Sequence, residues 1–210
     1  MKTLDLLEKD IPRIEKNQRP MQLSRRHKVL GQGKQGIAQE HSRDPNKVIK
    51  TSNIYTENPE RDEYVQFIKM ILDHQNNPFF PRIHSAKMVY NNQTDGYQLV
   101  TTMEKLIPLT GEKIKDASAQ LMKQLGITTR KPFSHDEDWT PNLWKWFDKP
   151  RNRSKLRRET KNPQLKQALE LLEPYIKKFG QDLHVNNFMI RLTGHGPQLV
   201  ILDPYTISDE

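Results

Sequence analysis

Between His27 and Leu106 the chain runs through five short strand-like stretches and one helical one, in the order β-β-β-α-β-β. The first two stretches, HKVLGQG and GIAQEHS, meet at glycines. KVIKTS follows after Asp44-Pro45-Asn46, a turn in which proline presets φ and short polar side chains bond the local backbone. Residues 59–74 carry Tyr64, Phe67, Ile68, Ile71 and Leu72 on one face at helical spacing. Asn76, Asn77 and Pro78 then stop the helix. RIHSAKMVY and GYQLVTTMEKL flank the polar turn NNQTDG, the pattern of a hairpin.

The remainder is less regular. Residues 112–125 and 163–178 read as helices, and NFMIRL and PQLVILD as a hairpin around Thr193-Gly194-His195-Gly196. Residues 126–162 read as irregular, with Pro132, Pro141, Pro150 and all three tryptophans, Trp139, Trp144 and Trp146. So long a stretch without regular structure is usually functional or mobile, and three tryptophans predict that part of it packs against the body. Residues 3–17 suggest a short amphipathic helix through Leu4, Leu7, Ile11 and Ile14, weakened by Pro12, and 18–26 a linker. The expected class is α+β. It has an N-terminal helix and linker over 1–26, a β-rich lobe over 27–106, and a mainly helical lobe over 107–210 with an insert at about 126–162.

Composition excludes several classes. Apolar residues make up 34% of the 210, which allows a modest core. No run approaches the roughly 18 apolar residues of a membrane span, so no membrane partner is expected. MKTLDLLEKDIPRIEK carries acids throughout and does not read as a secretory signal. With no cysteine, a disulfide framework, a thiolate metal site and a cysteine nucleophile are excluded, and a cytoplasmic location is compatible. The net charge is +8. From Lys145 to Lys161 eight Lys/Arg face only Asp148 and Glu159, a local net of +6. That run reads either as a solvated loop or as a docking surface for nucleic acid or an acidic protein.

Three sets of residues could carry chemistry. Gly31-Gln32-Gly33-Lys34-Gln35-Gly36 is a G-x-G-x-x-G. A dinucleotide fingerprint needs a helix after it. Here strands are expected on both sides, so a glycine hairpin lying over nucleotide phosphates fits better, since missing side chains let backbone N–H groups approach oxygens. Lys50 closes the run Val48-Ile49-Lys50, where a lysine could meet α- and β-phosphates or simply end a surface strand. Glu63, or Glu60 a turn earlier, could brace it, and the sequence does not choose between them. The third set is Asp182-Leu183-His184-Val185-Asn186-Asn187 and, across the hairpin, Ile201-Leu202-Asp203. The strand pair brings Asn187 and Asp203 to one end, where they can share Mg²⁺. Asp182 is left to orient a hydroxyl.

Taken in order, these elements resemble the protein-kinase fold over roughly 27–106 and 163–206. The resemblance implies Lys50 as the strand lysine, Asp182 as the catalytic-loop aspartate, and Asn187 and Asp203 as metal ligands. It puts Met103 at the gatekeeper, with the Glu104 carbonyl and the Leu106 N–H facing adenine. His184 stands where protein kinases usually carry a lysine near the γ-phosphate. Phosphotransferases of the aminoglycoside type often have the same D-L-H-x-x-N. Gly180-Gln181 replaces His-Arg before the aspartate, and Pro204-Tyr205 replaces Phe-Gly after the metal aspartate. The sequence ends seven residues beyond Asp203, so the resemblance implies a truncated C-lobe lacking the activation segment and lower helices.

Two groups of minimal kinases share that pattern. Pro45-Asn46-Lys47-Val48-Ile49-Lys50, Asp182 to Met189, and Asp203-Pro204 are similar to the early serine/threonine protein kinase of podovirus-type bacteriophages. Small effector kinases of enteric pathogens are similar in size and use a host partner to become active. The resemblance implies an ATP- and Mg²⁺-dependent serine/threonine kinase acting on host proteins in the bacterial cytoplasm, with an activating partner possible. The alternatives are a small-molecule phosphotransferase, and a pseudokinase that binds host factors or nucleic acid through its basic face.

Overall fold

The computed structural model describes residues 28–33, 36–56, 58–91, 94–108, 125, 149–179 and 187–203. The expected N-terminal helix and linker, most of the 112–125 helix, the three tryptophans, Asp182 and His184 lie outside the described residues. Those described fall into two compact units. One holds 28–75 and 82–105, the other 76–81 and everything described from Leu106 onward.

The first unit is built on a five-stranded antiparallel sheet: β1 (Val29–Gly33), β2 (Gly36–Glu40), β3 (Lys47–Ile54), β4 (Ile83–Asn91) and β5 (Gly96–Glu104). Its spatial order is β1-β2-β3-β5-β4. A helix, α1 (Glu63–Asp73), enters between β3 and β4, so the β-β-β-α-β-β order expected from the sequence is the order observed. The expected helix over 59–74 is split, because Asp62 is extended and its carboxylate accepts the N–H groups of Tyr64 at 3.0 Å and Val65 at 3.1 Å. Caps of this kind satisfy donors that the helix cannot. The preceding Pro59–Arg61 forms a separate 3₁₀ turn capped by Asn58.

Tyr64, Phe67, Ile68 and Ile71 are buried as their spacing predicted, together with Val65 and Met70. Leu72 is only half-buried. These residues share the unit's core with Ile54, Met88, Leu99, Val100 and Met103. At the β4–β5 turn Asp95 takes a left-handed φ of 50°, which a short polar side chain tolerates better than most.

The second unit contains a three-stranded sheet in the order β6-β7-β8, made of β6 (Ile107–Pro108), β7 (Phe188–Thr193) and β8 (Gly196–Ile201). Two helices accompany it, α2 (Pro150–Glu159) and α3 (Pro163–Phe179). In α3, Leu165, Ala168, Leu169, Leu172 and Ile176 form one buried face. Asn162 caps it by accepting from Gln164 N and Leu165 N at 3.0 and 3.1 Å. Segment 76–81 is fastened to this unit by side chains. Asn77 is buried and donates to Gln164 O at 2.9 Å and to Gln167 Oε1 at 3.1 Å. Arg191 donates to Pro78 O and Phe80 O, both at 2.9 Å.

α2 corrects the expectation that 126–162 is irregular throughout. Pro150 reads as a helix breaker in the sequence, but it occupies the first turn, where its missing N–H costs nothing and its fixed φ suits the helix. The Arg and Lys residues that follow are good helix formers. Arg153 and Leu156 are buried. Arg153 Nε pairs with Glu173 Oε2 of α3 at 3.4 Å. Among the described residues no helix is long and apolar enough to cross a membrane.

Candidate functional site

The expected site residues fall on both units, and each set has its own local geometry. In the first unit β1 and β2 close as a hairpin with Gly33 opposite Gly36, and β2 runs on against β3 with Gly36 opposite Ser52. The three glycines differ in what surrounds them. A Cβ at Gly36 would meet Thr51 O at 2.1 Å and Ser52 Cα at 2.9 Å, so this glycine lets two backbones pack. At Gly31 and Gly33 a Cβ would meet nothing within 4 Å. Packing therefore does not explain those two, and the hairpin backbone there is left open to an approaching ligand.

Lys50 stands on β3 with Ala38 of β2 on one side and Thr101 of β5 on the other. Thr101 Oγ1 donates to Lys50 O at 3.2 Å, which helps hold the strand at this point. The Lys50 ammonium lies 3.9 Å from the centre of the Tyr64 ring. A cation over an aromatic face is attracted by the ring quadrupole. From the sequence, Tyr64 reads only as part of the helix's apolar face. Its place at the second residue of the helix that follows the lysine strand was the available signal.

The two candidate glutamates separate. Glu60 is paired with Lys69 of α1. Glu63 opens α1 and is half-buried, where a negative charge also suits the helix dipole. Asp62, between them, is committed to capping.

At the end of β5, Met103 is buried. Glu104 is tied to the start of β4: its N–H donates to Arg82 O at 3.1 Å and its carboxylate accepts from Arg82 N at 2.8 Å. Lys105 is anchored by its N–H to Asn46 O at 2.7 Å and by its ammonium to Glu40 at 3.0 Å. That ammonium holds the Glu40 carboxyl below its ordinary pKa, chiefly through the hydrogen bond. Leu106 follows, half-buried, at the start of the second unit.

In the second unit the β7–β8 register pairs Phe188 with Ile201 and Thr193 with Gly196. Leu202 N–H donates to Asn187 O at 2.9 Å, one step beyond the ladder. Asn187 and Asp203 therefore emerge at the same end of the hairpin, away from the Gly194-His195 turn, and both are half-buried.

An amide oxygen and a carboxylate form a hard-oxygen donor pair. Among the described residues no group of three or more His, Cys, Asp or Glu could hold a metal alone. Two oxygen ligands suit Mg²⁺, which keeps waters and is usually bound by one or two carboxylates together with substrate phosphates. Neither a scan against protein-family models nor a search of curated proteins finds a match to this chain.

Proposed function

We propose that the chain is an ATP- and Mg²⁺-dependent serine/threonine protein kinase of minimal, phage-encoded type that phosphorylates host proteins in the bacterial cytoplasm. The observation that carries the reading is Lys50. Protein kinases hold their phosphate-binding lysine on the third strand, with a glycine-rich loop over the phosphates. Here Lys50 lies on the third strand, beside β2 of a hairpin with two open glycines. The Asn187 and Asp203 pair at one hairpin end supports it independently.

In this reading the Gly31–Gly36 hairpin and Lys50 hold the triphosphate, and Glu63 serves as the lysine's helix partner. Glu104 and Leu106 meet adenine through their backbones. Asn187 and Asp203 would hold Mg²⁺, which supplies charge neutralisation at the phosphates. Asp182 orients the acceptor hydroxyl and takes its proton as that oxygen bonds to the γ-phosphorus. The bond to the β,γ-bridging oxygen breaks, and ADP leaves. His184 belongs to the same motif and, by the resemblance, would act near the γ-phosphate. Positioning and charge stabilisation supply most of the catalysis in such chemistry.

The test is transfer from γ-labelled ATP with Mg²⁺, with and without bacterial lysate, for wild type, Lys50→Met, Asp182→Ala and Asp203→Ala. Label on protein should fall by at least about 10²-fold in each variant. Label that appears only with lysate means that a substrate or an activating partner is required. Wild-type turnover by Asp203→Ala would remove the metal assignment. Label confined to a small metabolite would make the chain a small-molecule phosphotransferase instead. ATP binding without any transfer would make it a pseudokinase.

A further inference from the structure

The basic run near residue 150 is not used by this chemistry, and the structure resolves how its charges are distributed. α2 carries Arg151, Arg153, Lys155, Arg157 and Arg158 against Glu159. At 100° per residue, Arg151, Lys155 and Arg158 fall within an arc of about 60° on one side of the helix. Arg153 and Leu156, the buried pair, point to the opposite side. All three outward cations are exposed, as are Lys149 and Lys161 at the two ends. Among the described residues Arg151 and Arg158 make no ion pair. Lys155 only touches Glu159, at 3.9 Å with both side chains about 60% exposed, an arrangement of little energetic weight. The buried Arg153 is the exception, being neutralised by Glu173.

We infer that this face of α2 binds the phosphate backbone of a nucleic acid without sequence selectivity. The stripe runs about 10 Å along the helix axis, over which a duplex presents about six phosphates. A chain with pI about 9.5 and its cations aligned along one helix has the electrostatic footprint of such binding. An acidic protein is the competing partner. Protein interfaces place aromatic or aliphatic anchors at their centre and leave charges on the rim. The exposed large apolar residues of the described chain are Val29, Leu30, Tyr55, Ile107 and Leu192, and none lies on α2 or α3. A surface of cations without an apolar anchor suits a polyphosphate rail, where counterion release alone drives association. The inference is independent of phosphotransfer and stands or falls separately from it.

The experiment measures fluorescence anisotropy of labelled 20-nucleotide single-stranded and duplex probes of unrelated sequences at several salt concentrations. It uses the full chain and the triple variant Arg151→Gln, Lys155→Gln, Arg158→Gln. Glutamine keeps helix propensity, and circular dichroism confirms that the variant is folded. A second variant, Lys166→Gln with Lys177→Gln, removes exposed charge from α3 as a control. The expected result is binding in low salt, insensitive to sequence, with a log–log salt slope that becomes shallower by about 2 to 3 in the triple variant. The α3 control should retain its slope. No binding in 50 mM salt would overturn the inference, as would a triple variant that binds like wild type. So would an acidic peptide of equal charge that binds as tightly as the probes, which would make the partner a protein.

Discussion

Replacing Gly36 by alanine separates the structural from the functional use of one motif. The new Cβ would lie 2.1 Å from Thr51 O, 2.9 Å from Ser52 Cα and 3.0 Å from Thr51 C. All three are backbone atoms, so no rotamer change relieves the contact. An ordinary separation of 3.4 Å requires β2 and β3 to part locally by 3.4 − 2.1 = 1.3 Å. Strands spaced about 4.8 Å apart would open to about 6 Å, beyond hydrogen-bond reach. Losing two ladder bonds costs about 1–3 kcal/mol, and the stiffer unfolded chain returns only about 0.4–1 kcal/mol.

Gly31→Ala and Gly33→Ala meet nothing within 4 Å and should keep or slightly raise stability. Urea unfolding followed by circular dichroism should therefore place Gly36→Ala about 1–3 kcal/mol below the other two. Equal midpoints for all three variants would refute the packing argument. The same proteins test the ligand argument by ATP titration. The Gly33→Ala variant should bind ATP several-fold more weakly without loss of stability, and unchanged affinity in both Gly31→Ala and Gly33→Ala would refute a phosphate-covering hairpin.

Three further outcomes are expected. Glu173→Ala removes an acidic partner from Arg153, which is 4% exposed, and should cost about 1–3 kcal/mol in urea unfolding, whereas pairing Glu173→Leu with Arg153→Met should recover part of the loss. Tyr64→Leu removes the ring under the Lys50 ammonium and should raise the KM for ATP about two- to fivefold, as expected for a contact of about 0.5–1 kcal/mol; an unchanged KM in a folded variant would show that the ring does not position the lysine. Because the Lys105 ammonium holds the Glu40 carboxyl below its ordinary value of 4.5, the stabilisation it gives is complete above that pH and is lost as pH falls through the lower folded value. The difference in melting temperature between wild type and Glu40→Gln should shrink below pH 4.5 and in high salt.

Much of the architecture follows from local chemistry. The 27–106 order of strands and helix was legible because each strand is bounded by a turn with its own mechanism, glycines at 33 and 36, Asp44-Pro45-Asn46 and Asp95-Gly96. The helix face was legible from the spacing of Tyr64, Phe67, Ile68 and Ile71. Hairpin register likewise determines that Asn187 and Asp203 share one end, because strands joined by a two-residue turn have a fixed pairing.

What tertiary structure decided concerns interactions between residues distant in sequence. No local pattern distinguishes Gly36, pressed against Thr51 and Ser52, from Gly31 and Gly33 in the same motif. Asp62 reads as one more acid beside Glu60 and Glu63, yet its carboxylate breaks the expected helix and caps the one that forms. Pro150 resembles a breaker until Arg153 and Leu156 find partners that make a helix favourable there. The same packing sorts the basic run, neutralising Arg153 against Glu173 twenty residues away and leaving Arg151, Lys155 and Arg158 exposed on the opposite face. Sequence determines how many charges the chain carries, and burial against other elements decides which of them remain available to a partner.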